Sequence, residues 1–131
     1  MPVTVSTIAD PLGTKLVIDV ECNATAEAVV TAGATTIYAV ECDNTANSTV
    51  PSYVKLLDAA SVTVGGASGS DPTLLLRVGA GLKETYVFGT GLPFTTNLTF
   101  WAVKSPYSNT SDDSNAAVSP ASAVIVKILC T

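Results

Sequence analysis

The residues of this chain best suited to chemistry are three cysteines and a pair of matched glutamates. VECNATA, residues 20–26, is echoed by VECDNTA, residues 40–46, so that Glu21-Cys22 and Glu41-Cys42 stand in the same context, with Cys130 close to the end. Two thiols so placed can pair as a disulfide, begin a metal site, or ride on two similar strand ends. A tetrahedral zinc cage has little to work with, because the chain has no histidine and no Cys-x-x-Cys pair. A count of three leaves a disulfide framework incomplete, and a reducing compartment keeps thiols free. Cys22 and Cys42 therefore read as unbridged strand residues, small and apolar in behaviour.

The carboxylates support no firmer chemistry. Without histidine the commonest general base near neutral pH is missing, along with the middle member of the serine and cysteine triads. Glu21 and Glu41 would have to face each other across a cleft to work as an acid–base pair. Solvated positions on the polar side of two strands are the simpler reading. Asp112, Asp113 and Asn115 offer oxygen ligands, yet their spacing matches no EF-hand. VGGASGSDP, residues 64–72, lacks the Gly-Lys-Ser/Thr ending of a phosphate loop and reads as a flexible connection. The expectation is a protein that is not an enzyme and holds no metal or cofactor.

The elements that carry these residues are strands. Apolar residues recur at every second position, and Gly, Pro, Asn and Asp interrupt them at short intervals. In KLVIDVEC the alternation places Leu16, Ile18, Val20 and Cys22 on one face, against Val17, Asp19 and Glu21. In TIYAVECD it groups Tyr38, Val40 and Cys42, and near the end it groups Val124, Val126, Ile128 and Cys130. All three thiols point inward on this reading. Further strands are predicted at about 3–8, 28–31, 53–58, 73–78, 84–88 and 96–103, with Gly79-Ala80-Gly81 and Gly89-Thr90-Gly91 as turns around KETYVF. The fold class expected is all-β, an antiparallel β-sandwich of immunoglobulin-like or jelly-roll type with about eight strands. Residues 1–13 form an N-terminal arm or edge strand and residues 14–131 a single sandwich domain.

Composition narrows the function classes. The chain has 131 residues, 47% of them hydrophobic and only 13% charged, with a net charge of −5. Its six cations, Lys15, Lys55, Arg77, Lys83, Lys104 and Lys127, are scattered singly, which argues against nucleic acid as a partner. MPVTVSTIADPLG does not have the form of a secretion signal, and AVIVKILC is too short and too interrupted for a membrane helix. A soluble protein without a membrane partner is expected, with the four sequons at Asn23, Asn47, Asn97 and Asn109 unmodified. Some strands are apolar on both faces. Leu75, Trp101 and Val103 are left over once their neighbours fill the core, so either a covering loop or another subunit is expected above them. Together with Val3, Val5 and Ile8 of the N-terminal segment, and Tyr107 in the long polar stretch 105–120, they make the candidate interaction surface.

From Tyr53 onward a resemblance joins this reading. Tyr53-Val54-Lys55-Leu56-Leu57-Asp58, then Val62-Thr63-Val64-Gly65, Asp71-Pro72 ahead of an apolar run, Gly91-Leu92-Pro93-Phe94 and Asn97-Leu98 follow one another in an order that resembles small β-sandwich virion proteins of tailed bacteriophages. The likeness covers residues 53–130 and leaves the VEC repeat outside. It implies a structural virion protein with no catalytic residues to carry over. Within that class the expectation is a capsid decoration or cement protein, bound in many copies to the major capsid protein or to other virion proteins as an oligomer or lattice-bound multimer. It would reside in the virion after assembly in the host cytoplasm. A tail, neck or fibre component is the alternative, and a carbohydrate-binding or adhesion sandwich of a cell-surface protein the second.

Overall fold

The computed structural model describes the backbone of residues 3–10 and 13–131, and the side chains of residues 3–7 and 15–131. Its eight strands are β1 (Val3–Asp10), β2 (Gly13–Cys22), β3 (Thr35–Asp43), β4 (Ser52–Asp58), β5 (Leu74–Val78), β6 (Lys83–Phe94), β7 (Leu98–Val103) and β8 (Val124–Cys130). The only other regular element among the described residues is a single 3-10 turn at Ser114–Ala117. Five strands form one sheet in the order β1-β2-β8-β3-β6, and three form a second in the order β5-β4-β7, every pairing antiparallel. Over the described residues the protein is an all-β sandwich of eight strands, as its alternation predicts. Its core joins Val17, Ile37, Val40, Val126 and Ile128 of the larger sheet to Val54, Leu56, Leu76, Leu98 and Phe100 of the smaller one.

Two irregularities change which side chains line that core. In β2 the pairing with β8 slips between Asp19 and Cys22, so two residues of β2 oppose one of its partner. Such a bulge reverses the alternation. Cys22 points inward as expected, but upstream of it Val17 and Asp19 are the buried pair, whereas Val20 is 47% exposed. The expected inward set of Leu16, Ile18 and Val20 is thereby corrected. In β3 the register shifts between Ile37 and Ala39, so Ile37, rather than Tyr38, enters the core ahead of Val40 and Cys42. The β6 side of that shift is long, because Leu92 pairs with Ile37 and Val87 with Ala39. Gly89-Thr90-Gly91 thus lies within a strand as a bulge, not beyond its end, with Gly91 at φ +84°. No side chain fits there: a Cβ on Gly91 would collide with the Thr36 methyl.

The segment expected as a strand at 28–31 is not one. Glu27 makes a single bridge to Phe100, and Val29 and Ala32 adopt φ values of 56° and 52° that no strand accommodates. The segment instead closes the free edge of β7. Glu27 N–H donates to Phe100 O and Phe100 N–H to Glu27 O, each at 2.9 Å, while Val30 N–H donates to Leu98 O at 2.9 Å.

Candidate functional site

The outer face of the smaller sheet is the first place where the sequence leaves apolar groups over. Lys55 stands between Leu75 and Trp101 in the β5-β4-β7 ladder. Trp101 is 2% exposed and Val103 is buried, so both are removed from the candidate interaction surface. What covers them is the chain's own 104–123 connection. Lys104 N–H donates to Val118 O at 3.0 Å, and Lys55, fully buried, donates from Nζ to the Tyr107 carbonyl at 2.5 Å. Burial lowers the Lys55 amine below the usual lysine range. The glycine-rich stretch 64–72, expected to be flexible, packs against the same cover: a Cβ on Gly65 would strike Ala117, and one on Gly69 the Ser108 carbonyl. Leu75 and the Tyr107 ring stay exposed at the margin.

The N-terminal residues fall on β1, the outermost strand of the larger sheet. Val3 and Val5 pair with the inward residues Asp19 and Val17, so they share the inner face. Val3 packs on the core and Val5, at the rim, is 44% exposed. The Ile8 side chain lies outside the described residues.

The polar candidates do not assemble. Glu21 is exposed on β2, and β8 separates that strand from Glu41 on β3, which instead approaches Lys127 at 3.5 Å and Lys83 at 3.9 Å. Asp113 caps the 3-10 turn by accepting from Asn115 N–H at 2.9 Å. Among the described residues no three Cys, Asp or Glu groups gather closely enough to hold a metal ion. Cys22, Cys42 and Cys130 are free and buried. Burial pushes the Cys42 thiol up to about 12 and that of Cys22 well above the ordinary value, so neither is a poised nucleophile.

The surface that sequence reasoning missed is the outer face of the larger sheet. Following the ladder across it, Leu16 pairs with Leu129, Leu129 with Ala39, and Ala39 with Val87. Directly opposed residues share a face, so these four form one apolar row across four strands. Val87 is 74% exposed, the largest exposure of any big apolar residue described. Where the β3 and β6 bulges meet, Tyr38, Ala39, Val87, Phe88, Gly89 and Leu129 line a groove of about 240 Å³. The neighbouring row is charged, with Lys127 beside Glu41, and Lys83 reaches Asp43 at 3.8 Å. The signal was present in the sequence as the alternation of β2 and β8. The bulges hid it, because an unbroken alternation puts Leu16 inside.

No family model, curated protein or solved structure matches the chain. The fold and this surface are what define it.

Proposed function

We propose that the protein is a non-enzymatic structural component that works by adhesion, of the capsid decoration or cement kind. The observation that carries this reading is the apolar row Leu16–Leu129–Ala39–Val87 with its groove. An antiparallel sheet that faces water ordinarily presents polar residues, and contiguous exposed apolar surface marks a contact site. The 104–123 connection covers Trp101 and Val103 on the other sheet, which leaves this row as the broader apolar face among the described residues. A cement protein uses such a face once per copy. Each contact with a repeating shell is weak, and many copies together brace neighbouring capsomers. The net charge of −5 keeps the protein apart from nucleic acid packed inside that shell.

The test is immuno-electron microscopy of purified tailed-phage particles whose genome encodes the chain, followed by rebinding of the wild type and of Val87→Glu to particles stripped of it. Label over the head and loss of rebinding by Val87→Glu are expected. That variant should fold with stability within about 0.5 kcal/mol of wild type, since its side chain is in solvent. Label on the tail assigns the protein to a tail or neck structure, and no label on any particle refutes the virion reading.

A further inference from the structure

The two sheets have four outer edges, and three of them are closed or interrupted. Along β7 the 27–30 segment takes up backbone groups of Leu98 and Phe100. β5 has only five residues, and the Tyr86 hydroxyl donates to its Arg77 carbonyl. β6 carries Lys83 at one end, the Gly89–Gly91 bulge in its middle and, near the other end, Pro93, which has no N–H to offer. Short strands, bulges, prolines and lysines are the devices that keep a sheet edge from pairing with another chain. Over Val3–Thr7, β1 has none of them: the register with β2 is unbroken and the residues include no charge, proline or glycine. Among the described residues no strand pairs with its outer edge, where alternate N–H and C=O groups point away from β2. Val5 lies on the inner face and is still 44% exposed, so the smaller sheet leaves it uncovered.

We propose that β1 is the seam of a homodimer, pairing antiparallel with β1 of a second copy about a two-fold axis at Val5. The match of the strand with itself selects both occupant and register. Only every second residue of β1 turns its backbone groups outward, so residues that meet across the seam are an even number of positions apart and the axis falls on a residue. With the axis at Val5, the opposed pairs are Val5 with Val5, Val3 with Thr7, and Thr4 with Ser6. All are β-branched or hydroxyl side chains, which pair favourably across strands. Asp10 and the register shift before it fall beyond the paired length, so two chains of net charge −5 meet without opposing carboxylates.

Pairing β1 with β6 of another copy would instead build an open filament, and the lysine, bulge and proline of β6 oppose it. Two β1 strands close on themselves. Because the paired residues keep the same parity, inner face stays beside inner face, and two five-stranded sheets join edge to edge. The two Leu16–Leu129–Ala39–Val87 rows then look out on the same side of the dimer. The seam stands without the adhesive reading. Where that reading holds, each dimer offers a shell two contact faces that act together.

Sedimentation equilibrium of the full chain, from micromolar to millimolar concentration, tests the seam. The wild type is expected to approach twice the chain mass, and Val5→Lys, which sets two cations against each other at the axis, to need about tenfold more protein to do so. Val87→Glu should dimerise as the wild type does, since β6 is the opposite edge of the sheet. Mild oxidation of Val5→Cys and Thr7→Cys reads the register. The introduced thiols of Val5→Cys face each other within disulfide reach, whereas those of Thr7→Cys stand four residues apart, roughly 13 Å along the strand, so the covalent dimer should form about tenfold faster from Val5→Cys. Should Val5→Lys fail to fold, the two cysteine variants decide alone. A wild type that stays monomeric at millimolar concentration, a dimer that Val87→Glu dissolves and Val5→Lys leaves intact, or equal cross-linking of the two cysteine variants overturns the proposal. None of these measurements involves a particle, so the seam and the adhesive reading fail separately.

Discussion

The second copy of the VEC motif predicts a large asymmetry between two asparagines that look alike in the sequence. Asn44 is fully buried. Its amide nitrogen reaches Val50 O at 3.2 Å, Gly79 O at 3.1 Å and Val78 O at 3.4 Å, and its oxygen accepts from Ser52 Oγ at 2.7 Å and Asn47 Nδ2 at 2.8 Å. Asn47 in turn joins Ser122, donating to its carbonyl and accepting from its N–H, each at 2.8 Å. One side chain thus ties the end of β3 to β4, to the turn after β5 and, through Asn47, to the approach to β8. Asn44→Ala leaves the Ser52 hydroxyl and one Asn47 donor without their acceptor, together with carbonyls already out of water. At about 1–3 kcal/mol for each buried group left unsatisfied, with partial relaxation, the expected loss is about 3–5 kcal/mol. The side chain of Asn23, its counterpart in the first copy, accepts only from Thr25 N–H, at 2.8 Å in an exposed turn, so Asn23→Ala should cost about 1 kcal/mol or less. Urea denaturation of both variants, with the m-value checked for constancy, measures the difference. Equal losses, or a loss below about 1 kcal/mol for Asn44→Ala, refute the reasoning that burial rather than motif sets the energy.

Lys55→Ala should destabilise by about 2–4 kcal/mol through lost packing of the stem beneath the 104–123 cover, and Lys55→Met should restore most of that loss; equal losses in the two variants count against the packing explanation. Because burial lowers the Lys55 amine in the folded state, its contribution to stability rises as the pH approaches the ordinary lysine value from below, and Lys55→Met removes that part of the pH dependence of the urea midpoint. A thiol reagent at neutral pH should find three reactive cysteines in denatured protein and react slowly with all three in the native state, as their burial requires. A count of one after denaturation would mean a bridge that the structure does not have.

Much of the fold was legible because it depends on local pattern. The β8 strand reads Val124, Val126, Ile128 and Cys130 inward without a fault, and every other residue of β5 turns to the core as its alternation predicts. The inward Cys42 and Cys130 follow from the same rule, whereas Cys22 points inward because the β2 bulge shifts the phase ahead of it. What was not legible depends on contacts distant in sequence. The apolar outer face around Trp101 called for a cover, a loop or another subunit, and only contacts distant in sequence show that the 104–123 connection supplies it. The 64–72 glycines looked loose for a similar reason, since their close approach to Ala117 and Ser108 is a tertiary fact. Val29 and Ala32 have strand-compatible side chains, and only the turn that carries them to β7 gives them positive φ.

A single irregularity accounts for two of the features argued above. With an unbroken β2, Leu16, Ile18 and Val20 would fill the core and Asp19 would lie in water, which on burial alone is the better arrangement. The bulge between Asp19 and Cys22 inverts it, setting Leu16 in the outer apolar row and Asp19 in the interior. The pairing shift takes the Glu21 N–H out of the regular ladder, and Asp19 Oδ1 accepts it at 2.9 Å. Asp19 therefore supports the irregularity that buries it. The arrangement is locally expensive, and local conflict of this kind concentrates where structure serves function. The apolar row on one side of β2 and the buried Asp19 on the other are two faces of the same displaced strand, so a change that regularises β2 must alter both together.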